Sequence, residues 1–90
     1  MTEKSRVNLI KKLEVTDLDG EKVMIDFSSG KYFLLKGAAN EIWDYIQTPI
    51  VVSDILHRLM NVYDVAEDTC RDSIFSFLTQ LKSYEFITIE

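Results

Sequence analysis

Few residues of this 90-residue chain could carry out acid–base, nucleophilic or metal chemistry. It has a single histidine, His57, and a single cysteine, Cys70. A zinc site needs several such ligands and a nucleophile needs an adjacent base, so this pair supports neither unless the two side chains meet. We interpret the acids Glu67, Asp68 and Asp72 as favourable charges in the first turn of a helix, not as a metal site. The sequence predicts no enzyme, no cofactor and no metal.

The composition narrows the class of protein further. Fifteen acidic residues against ten basic ones give a net charge of −5, which opposes binding to nucleic acid phosphates. No apolar run approaches the ~20 residues of a membrane span, and the N-terminus has no signal-peptide core. We therefore expect one domain over residues 1–90 in a cytoplasmic protein that binds neither membranes nor nucleic acid.

The first half of the chain predicts strands. A mixed run covers Leu9 to Thr16, and Asp19-Gly20 then provides a hairpin turn. Glu21 to Phe27 alternates in polarity, which is typical of a half-buried strand. After the turn Ser28-Ser29-Gly30, the segment Lys31–Leu35 forms a third strand. These three strands predict an antiparallel meander.

The second half predicts helices. The first begins near Gly37 and ends before Thr48-Pro49, because the residue before a proline disfavours helical geometry. The second covers about Val52 to Asn61, and the third runs from Asp64, or from Glu67-Asp68, to about Ser83. The last residues, Phe86 to Ile89, form either a short strand or a packed tail. The predicted fold is α+β and similar to a winged helix-turn-helix, with a three-stranded antiparallel sheet followed by three helices.

At these elements the chain resembles a known family, the PqqD-like proteins. They are the recognition elements of pathways that modify ribosomally made peptides. The resemblance covers about Asp19 to Ile87, and it depends on the order and spacing of several short segments. These are Asp19-Gly20, Val23-Met24-Ile25-Asp26, Ser29-Gly30-Lys31-Tyr32-Phe33-Leu34-Leu35, Ala38-Ala39 with Ile42-Trp43, Val52 to Leu59, Tyr63-Asp64-Val65, and Phe77-Leu78 with Leu81.

The resemblance implies a binding role without catalysis. Proteins of this family hold the leader of a precursor peptide as an added antiparallel strand on the third strand of the sheet, in a groove bordered by the third helix. They deliver it to a leader protease or another modifying enzyme. A free-standing domain of this kind is similar to those of lasso-peptide pathways, which make antibiotic peptides.

The residues themselves agree with strand addition. An edge strand offers unpaired N–H and C=O groups, and Tyr32, Phe33, Leu34 and Leu35 carry no charge or proline to block it. Which two of these four face the core stays open. On the third helix, Arg71, Phe75, Leu78 and Lys82 form a stripe beside the core stripe. We expect Phe75 to wall the groove, and Arg71 and Lys82 to pair with acidic leader residues, although isolated charges are more often simply solvated.

Other interpretations remain. A winged-helix transcription regulator would use the same fold on DNA, but the third helix carries more acids than bases. An uncovered edge strand also permits pairing with a second copy, so a homodimer that leader binding dissolves is a further expectation.

Overall fold

The computed structural model describes residues 1–19 and 21–90, with the backbone alone at residues 18 and 21. In these residues the chain forms six strands and three helices. In chain order they are β1 (Arg6–Leu9), β2 (Glu14–Leu18), β3 (Glu21–Asp26), β4 (Lys31–Leu35), α1 (Ala38–Tyr45), β5 (Ile50–Val51), α2 (Val52–Val62), α3 (Glu67–Ser83) and β6 (Ile87–Ile89). The fold is α+β, as predicted, and the winged helix-turn-helix label stays a prediction.

The predicted meander is present as the antiparallel sheet β2-β3-β4. In this sheet Met24 lies opposite Phe33 and Val23 lies opposite Leu34, so each pair shares a face. Gly30 closes the β3–β4 hairpin with a φ of 72°, a conformation that glycine adopts without steric cost. The Asp19-Gly20 turn was predicted between β2 and β3: Asp19 has a φ of 52°, and Gly20 lies outside the described residues.

A second antiparallel sheet, β5-β1-β6, was not predicted as a sheet. The predicted first strand, Leu9 to Thr16, is wrong in its extent, because the chain changes sheets within it. Leu9 ends β1 opposite Ile87, whereas Glu14 begins β2 opposite Ile25. Backbone N–H groups of residues 10 and 11 donate to the carbonyl of Phe86 and hold this crossing. The C-terminal segment is a strand, one of the two alternatives predicted.

The three helices match the predicted segments closely. α1 ends before Thr48-Pro49, and α3 begins at Glu67. They pack around a core that includes Trp43, Leu59 and Ile74. No helix in the described part of the chain is long and apolar enough to cross a membrane.

The N-terminal segment supplies hydrogen-bond partners to the start of α2. The first N–H groups of a helix have no partner within it. Here Val52 N–H donates to the Ser5 carbonyl at 2.9 Å, and Ser53 N–H donates to the Glu3 carbonyl at 2.8 Å. No side chain caps α2. Residues 3–5 therefore satisfy groups that would otherwise need solvent.

One carboxylate fixes the turn of the β3–β4 hairpin. Asp26 is buried and accepts hydrogen bonds from the Ser28 hydroxyl at 2.7 Å, the Ser29 hydroxyl at 2.9 Å and the Lys11 ammonium at 3.0 Å. Ser28 and Lys11 hold the pKa of this carboxyl well below its usual range. The ionised Asp26 therefore ties the hairpin to the segment between the two sheets.

This carboxylate makes stability sensitive to acid. Because its pKa is lower in the folded state than the ordinary value of 3.8, its contribution is complete at neutral pH and falls away as the pH drops below about 4. We expect Asp26→Asn to be less stable than the wild type at pH 7, with a smaller loss of stability between pH 6 and pH 2. Thermal unfolding at each pH measures this, and Asp64→Asn, in the exposed loop before α3, is the control. An acid-induced loss equal in Asp26→Asn and wild type would contradict the assignment.

Candidate functional site

The strand β4 has one partner, β3, among the described residues, so its other edge is unpaired. In an antiparallel sheet the backbone groups of an outer strand point alternately toward its neighbour and away from it. The outward N–H and C=O groups of β4 are therefore available to another extended chain. The segment Tyr32–Leu35 along this edge carries no charge, in contrast to β2, the other outer strand, which carries Glu14 and Asp17.

The side chains of β4 divide between two faces, which answers the question that the sequence left open. Phe33 and Leu35 point toward the helices, and Leu35 is only 2% exposed. Tyr32 and Leu34 point to the opposite side and are 71% and 49% exposed. Only alternate side chains of the strand are therefore held by the core.

A groove follows β4 on the side of the helices, and α3 forms its opposite wall. We call it the β4–α3 groove. At the hairpin end it has a volume of about 250 Å³ between Lys31 and the segment Ser83–Phe86. Beyond Phe77 and Gln80, an open concavity of about 490 Å³ lies on α3 alone, where Thr69, Asp72, Ser73 and Ser76 line it. The middle, where Phe33 and Leu35 face Phe77, Gln80, Leu81 and Tyr84, holds only about 40 Å³.

Three aromatic rings meet in this narrow part. The rings of Phe33 and Tyr84 lie 4.7 Å apart between centroids, and Phe86 contacts both, at 5.5 Å and 5.6 Å. The Gln80 amide donates a hydrogen bond to the Tyr84 hydroxyl at 3.3 Å. The middle of the β4–α3 groove is thus closed by the protein's own aromatic side chains.

The structure turns a different stripe of α3 toward β4 from the one predicted. Residues two apart on a helix lie about 200° apart, on nearly opposite sides. Because Phe77 lines the groove, Phe75 lies away from it, packed against the core. Leu78 is fully buried, so its side chain belongs to the core, and Lys82 is exposed outside the groove lining. The predicted stripe of Arg71, Phe75, Leu78 and Lys82 does not line the groove.

Arg71 already has its own carboxylate partners. Its guanidinium donates to Glu3 at 2.7 Å and to Asp68 at 2.9 Å, and Glu67 lies 3.6 Å away. The hydrogen bonds to Glu3 and Asp68 raise the pKa of Arg71 above its ordinary value. This residue joins α3 to the N-terminal segment that caps α2, which gives it a structural role. Its predicted pairing with a peptide would have to compete with these contacts.

The groove residues that the sequence did not identify are Phe77, Gln80 and Tyr84. The apolar periodicity of the third helix groups Phe77 with Cys70, Ile74, Leu78 and Leu81 as the core stripe, and Tyr84 comes just after the last residue of α3. Their spacing of three and four residues was a usable signal, since it places them on one helical face. That signal was hidden because Phe75 forms an equally apolar stripe.

A second apolar surface lies on the sheet side that faces away from the helices. We call it the outer face; its members are Val23, Ile25, Phe27, Tyr32 and Leu34. Phe27 is 75% exposed, whereas Val23 is buried beneath its neighbours, and the concavity between these side chains has a volume of about 510 Å³. The inward side of β3 carries Met24 and Asp26, both buried. Large exposed apolar patches on small proteins commonly mark interaction surfaces.

The groups considered for chemistry are not assembled into a site. Cys70 is buried in the core, and this burial raises the pKa of its thiol, whereas His57 is exposed on α2. A buried thiol with a raised pKa is a poor nucleophile. Within residues 1–19 and 21–90, no group of three or more histidine, cysteine or acidic residues could hold a metal ion.

Comparison with known proteins identifies the family. The family model described as coenzyme PQQ synthesis protein D (PqqD) matches residues 21–87, which include β3, β4 and all three helices. The chain belongs to the PqqD family. The resemblance that the sequence suggested is therefore confirmed, and the unpaired edge and the β4–α3 groove lie within the matched part.

A solved structure shares the fold of this PqqD family member. That solved structure is TbiB1 in complex with the TbiA(beta) leader peptide, and this chain is similar to it with a TM-score of 0.75 and 21% sequence identity. The match covers 89% of this chain and 93% of that chain. A search of curated proteins gave no match.

The role assigned to Arg71 can be tested through stability. We expect Arg71→Gln to lower the unfolding temperature at low salt, because Glu3 and Asp68 lose their partner. In 1 M NaCl the difference from wild type should shrink, since the Debye length falls to about 3 Å and the solvent-facing part of these ion pairs is partly screened. Lys82→Gln, one of the other predicted stripe residues, is the matched control and should leave the unfolding temperature unchanged. Equal effects of the two variants would contradict a structural role for Arg71.

Proposed function

We propose that this protein is a peptide-recognition module that binds the leader of a ribosomally made precursor peptide. The leader adds to the free edge of β4 as an antiparallel strand and places alternate side chains in the β4–α3 groove. The observation that carries this proposal is the unpaired edge of β4, uncharged from Tyr32 to Leu35, beside a groove that runs along it. Family membership and the leader peptide named for TbiB1 support it.

Leader binding with micromolar affinity requires both the hydrogen bonds of the β4 edge and the apolar contacts of the β4–α3 groove. A net hydrogen bond contributes about 1 kcal/mol, so the outward groups of a five-residue strand cannot alone give micromolar affinity, which needs about 8 kcal/mol. A well-buried large side chain adds about 1.5–3 kcal/mol. At least two apolar anchors of the leader must therefore enter the groove, and Phe33, Leu35 and Phe77 are the apolar groups available there.

Leader binding would leave the outer face free for a second protein. The added strand lies beside β4, and Phe27, Tyr32 and Leu34 point away from the groove. We propose that this face contacts the leader protease or another modifying enzyme, so that the bound leader is presented next to it. The module itself is catalytically silent in this proposal, and a free-standing role in a lasso-peptide pathway is the setting that fits it best.

The winged helix-turn-helix description belongs to the same proposal. α2 and α3 would be the helical pair, and the β3–β4 hairpin would be the wing. Binding to DNA is disfavoured by the net charge of −5 and because Arg71, one of the two basic residues of α3, is paired with carboxylates.

Strand addition can be observed directly by amide exchange. On titration with a synthetic leader of the neighbouring precursor, we expect binding in the micromolar range and slower exchange of alternate β4 amides, whose N–H groups gain a partner. The amides of β2 should not change, since β2 is the other outer strand of the same sheet. Binding without any protection along β4 would contradict strand addition, and no binding at tens of micromolar would contradict the function.

The groove wall can be tested with a substitution on α3. We expect Phe77→Ala to weaken leader binding about 10-fold, because losing one apolar anchor contact costs about 1.4 kcal/mol. Isothermal titration calorimetry measures the affinity, and circular dichroism shows that the fold is retained. Val15→Ala, on β2, is the control and should bind as the wild type does. Equal affinities of Phe77→Ala and wild type would remove Phe77 from the site.

Presentation of the leader to an enzyme can be tested separately from leader binding. Phe27→Ser removes the most exposed ring of the outer face and should leave leader affinity unchanged. Cleavage of the leader by the partner protease should slow about 10-fold if one apolar contact of the enzyme is lost. Normal cleavage by Phe27→Ser and by a Phe27→Asp variant would exclude the outer face as the enzyme contact.

A further inference from the structure

The β4–α3 groove is not open along its whole length. A wider part of about 250 Å³ at the hairpin end, and an open concavity of about 490 Å³ on α3 alone, adjoin a middle of about 40 Å³. A water molecule needs about 10–15 Å³ of a cavity volume measured with a water-sized probe, so the middle has room for about three waters. A large side chain of an incoming strand cannot enter there unless a lining residue moves.

Tyr84 is the lining residue that is free to move. It follows the last residue of α3, and its side chain is 40% exposed. The other large apolar side chains of the lining are held by packing: Met24, Leu35 and Leu81 are buried, and Phe33 and Phe77 pack against the core. Rotation of a partly exposed side chain needs no change in the backbone and takes place in picoseconds to nanoseconds.

The closed position of Tyr84 is held by weak contacts. Its ring lies against Phe33 at 4.7 Å and against Phe86 at 5.6 Å, and its hydroxyl accepts the hydrogen bond from Gln80. Phe33 is the side chain at the centre of β4, next to the edge that receives the added strand. Tyr84 thus covers the very ring that an apolar anchor would contact.

We propose that Tyr84 is a gate that occupies the central anchor position of the β4–α3 groove until a peptide displaces it. This inference rests on the proposed function. It adds how access to the groove is regulated and which leaders the groove selects. The gate favours leaders with a large apolar or aromatic side chain at that position, because such a side chain replaces the ring contact that Phe33 loses. A small or polar side chain opens the gate without replacing that contact.

Gating has a measurable consequence for affinity. Apparent affinity is reduced by the fraction of molecules that are open, so removing the gate should raise it. We expect Tyr84→Ala to bind the leader about 3- to 10-fold more tightly than wild type, the ratio that corresponds to one aromatic contact. Tyr84→Phe keeps the ring and loses only the bond from Gln80, so its affinity should fall between the two. Calorimetric titration with the neighbouring precursor's leader gives all three values.

The movement itself can be followed by fluorine NMR on protein labelled with 3-fluorotyrosine. The Tyr84 resonance is assigned by its loss in Tyr84→Phe, and saturation with leader should shift it toward that of an exposed tyrosine. This readout does not depend on whether Tyr84→Ala folds normally. A resonance that stays in place in the saturated complex would overturn the gate.

The results separate the gate from the proposed function. If wild type binds and Tyr84→Ala binds equally or more weakly, Tyr84 is an ordinary contact and only the gate is wrong. If neither wild type nor Tyr84→Ala binds the leader, both the proposed leader recognition and the gate are wrong. Tighter binding by Tyr84→Ala together with the resonance shift supports both.

Discussion

The pairing of β4 with β3 on one side only is the constraint on which the other features depend. Strand geometry sends successive side chains to opposite faces and successive backbone groups to opposite edges. Once Leu35 enters the core and Phe33 faces α3, Tyr32 and Leu34 must face away. One short strand thereby contributes to the core, to a groove wall and to an exposed apolar face. The Asp26 cluster keeps the hairpin that holds this strand in register.

Local features of the sequence predicted most of the fold. The hairpin turn at Ser28-Ser29-Gly30, the strand after it and the three helices follow from turn residues and apolar periodicity. The sheet β5-β1-β6 was missed because β5 has only two residues, and because the rest of the fold separates β1 from β6 in the sequence. The predicted first strand, Leu9 to Thr16, also joined β1 to β2, since nothing local in the sequence marks the point where the chain changes sheets.

The positions of the candidate site residues were predicted in part, and the differences have physical causes; that these residues bind a peptide stays a prediction. The β4 edge followed from a run of uncharged strand residues. The rotation of α3 did not follow, because Phe75 and Phe77 give it apolar side chains on opposite sides. Arg71 looked free because its partner Glu3 lies 68 positions away in sequence. The alternation of polarity in β3 did not tell which face meets the helices: Met24 does, whereas Ile25 and Phe27 belong to the outer face.

The pairing of Leu9 with Ile87 also bears on the order in which the protein folds. A hairpin forms in about 1–10 μs from neighbouring residues, whereas contacts across nearly the whole chain pay a larger loop-closure entropy. On a ribosome, β3 and β4 can pair while α3 is still being made, and β1 can pair with β5 once residues 50 and 51 have emerged. The pairing of β1 with β6 has to wait for the segment that follows α3. The β5-β1-β6 sheet is therefore completed only after all three helices have been synthesised.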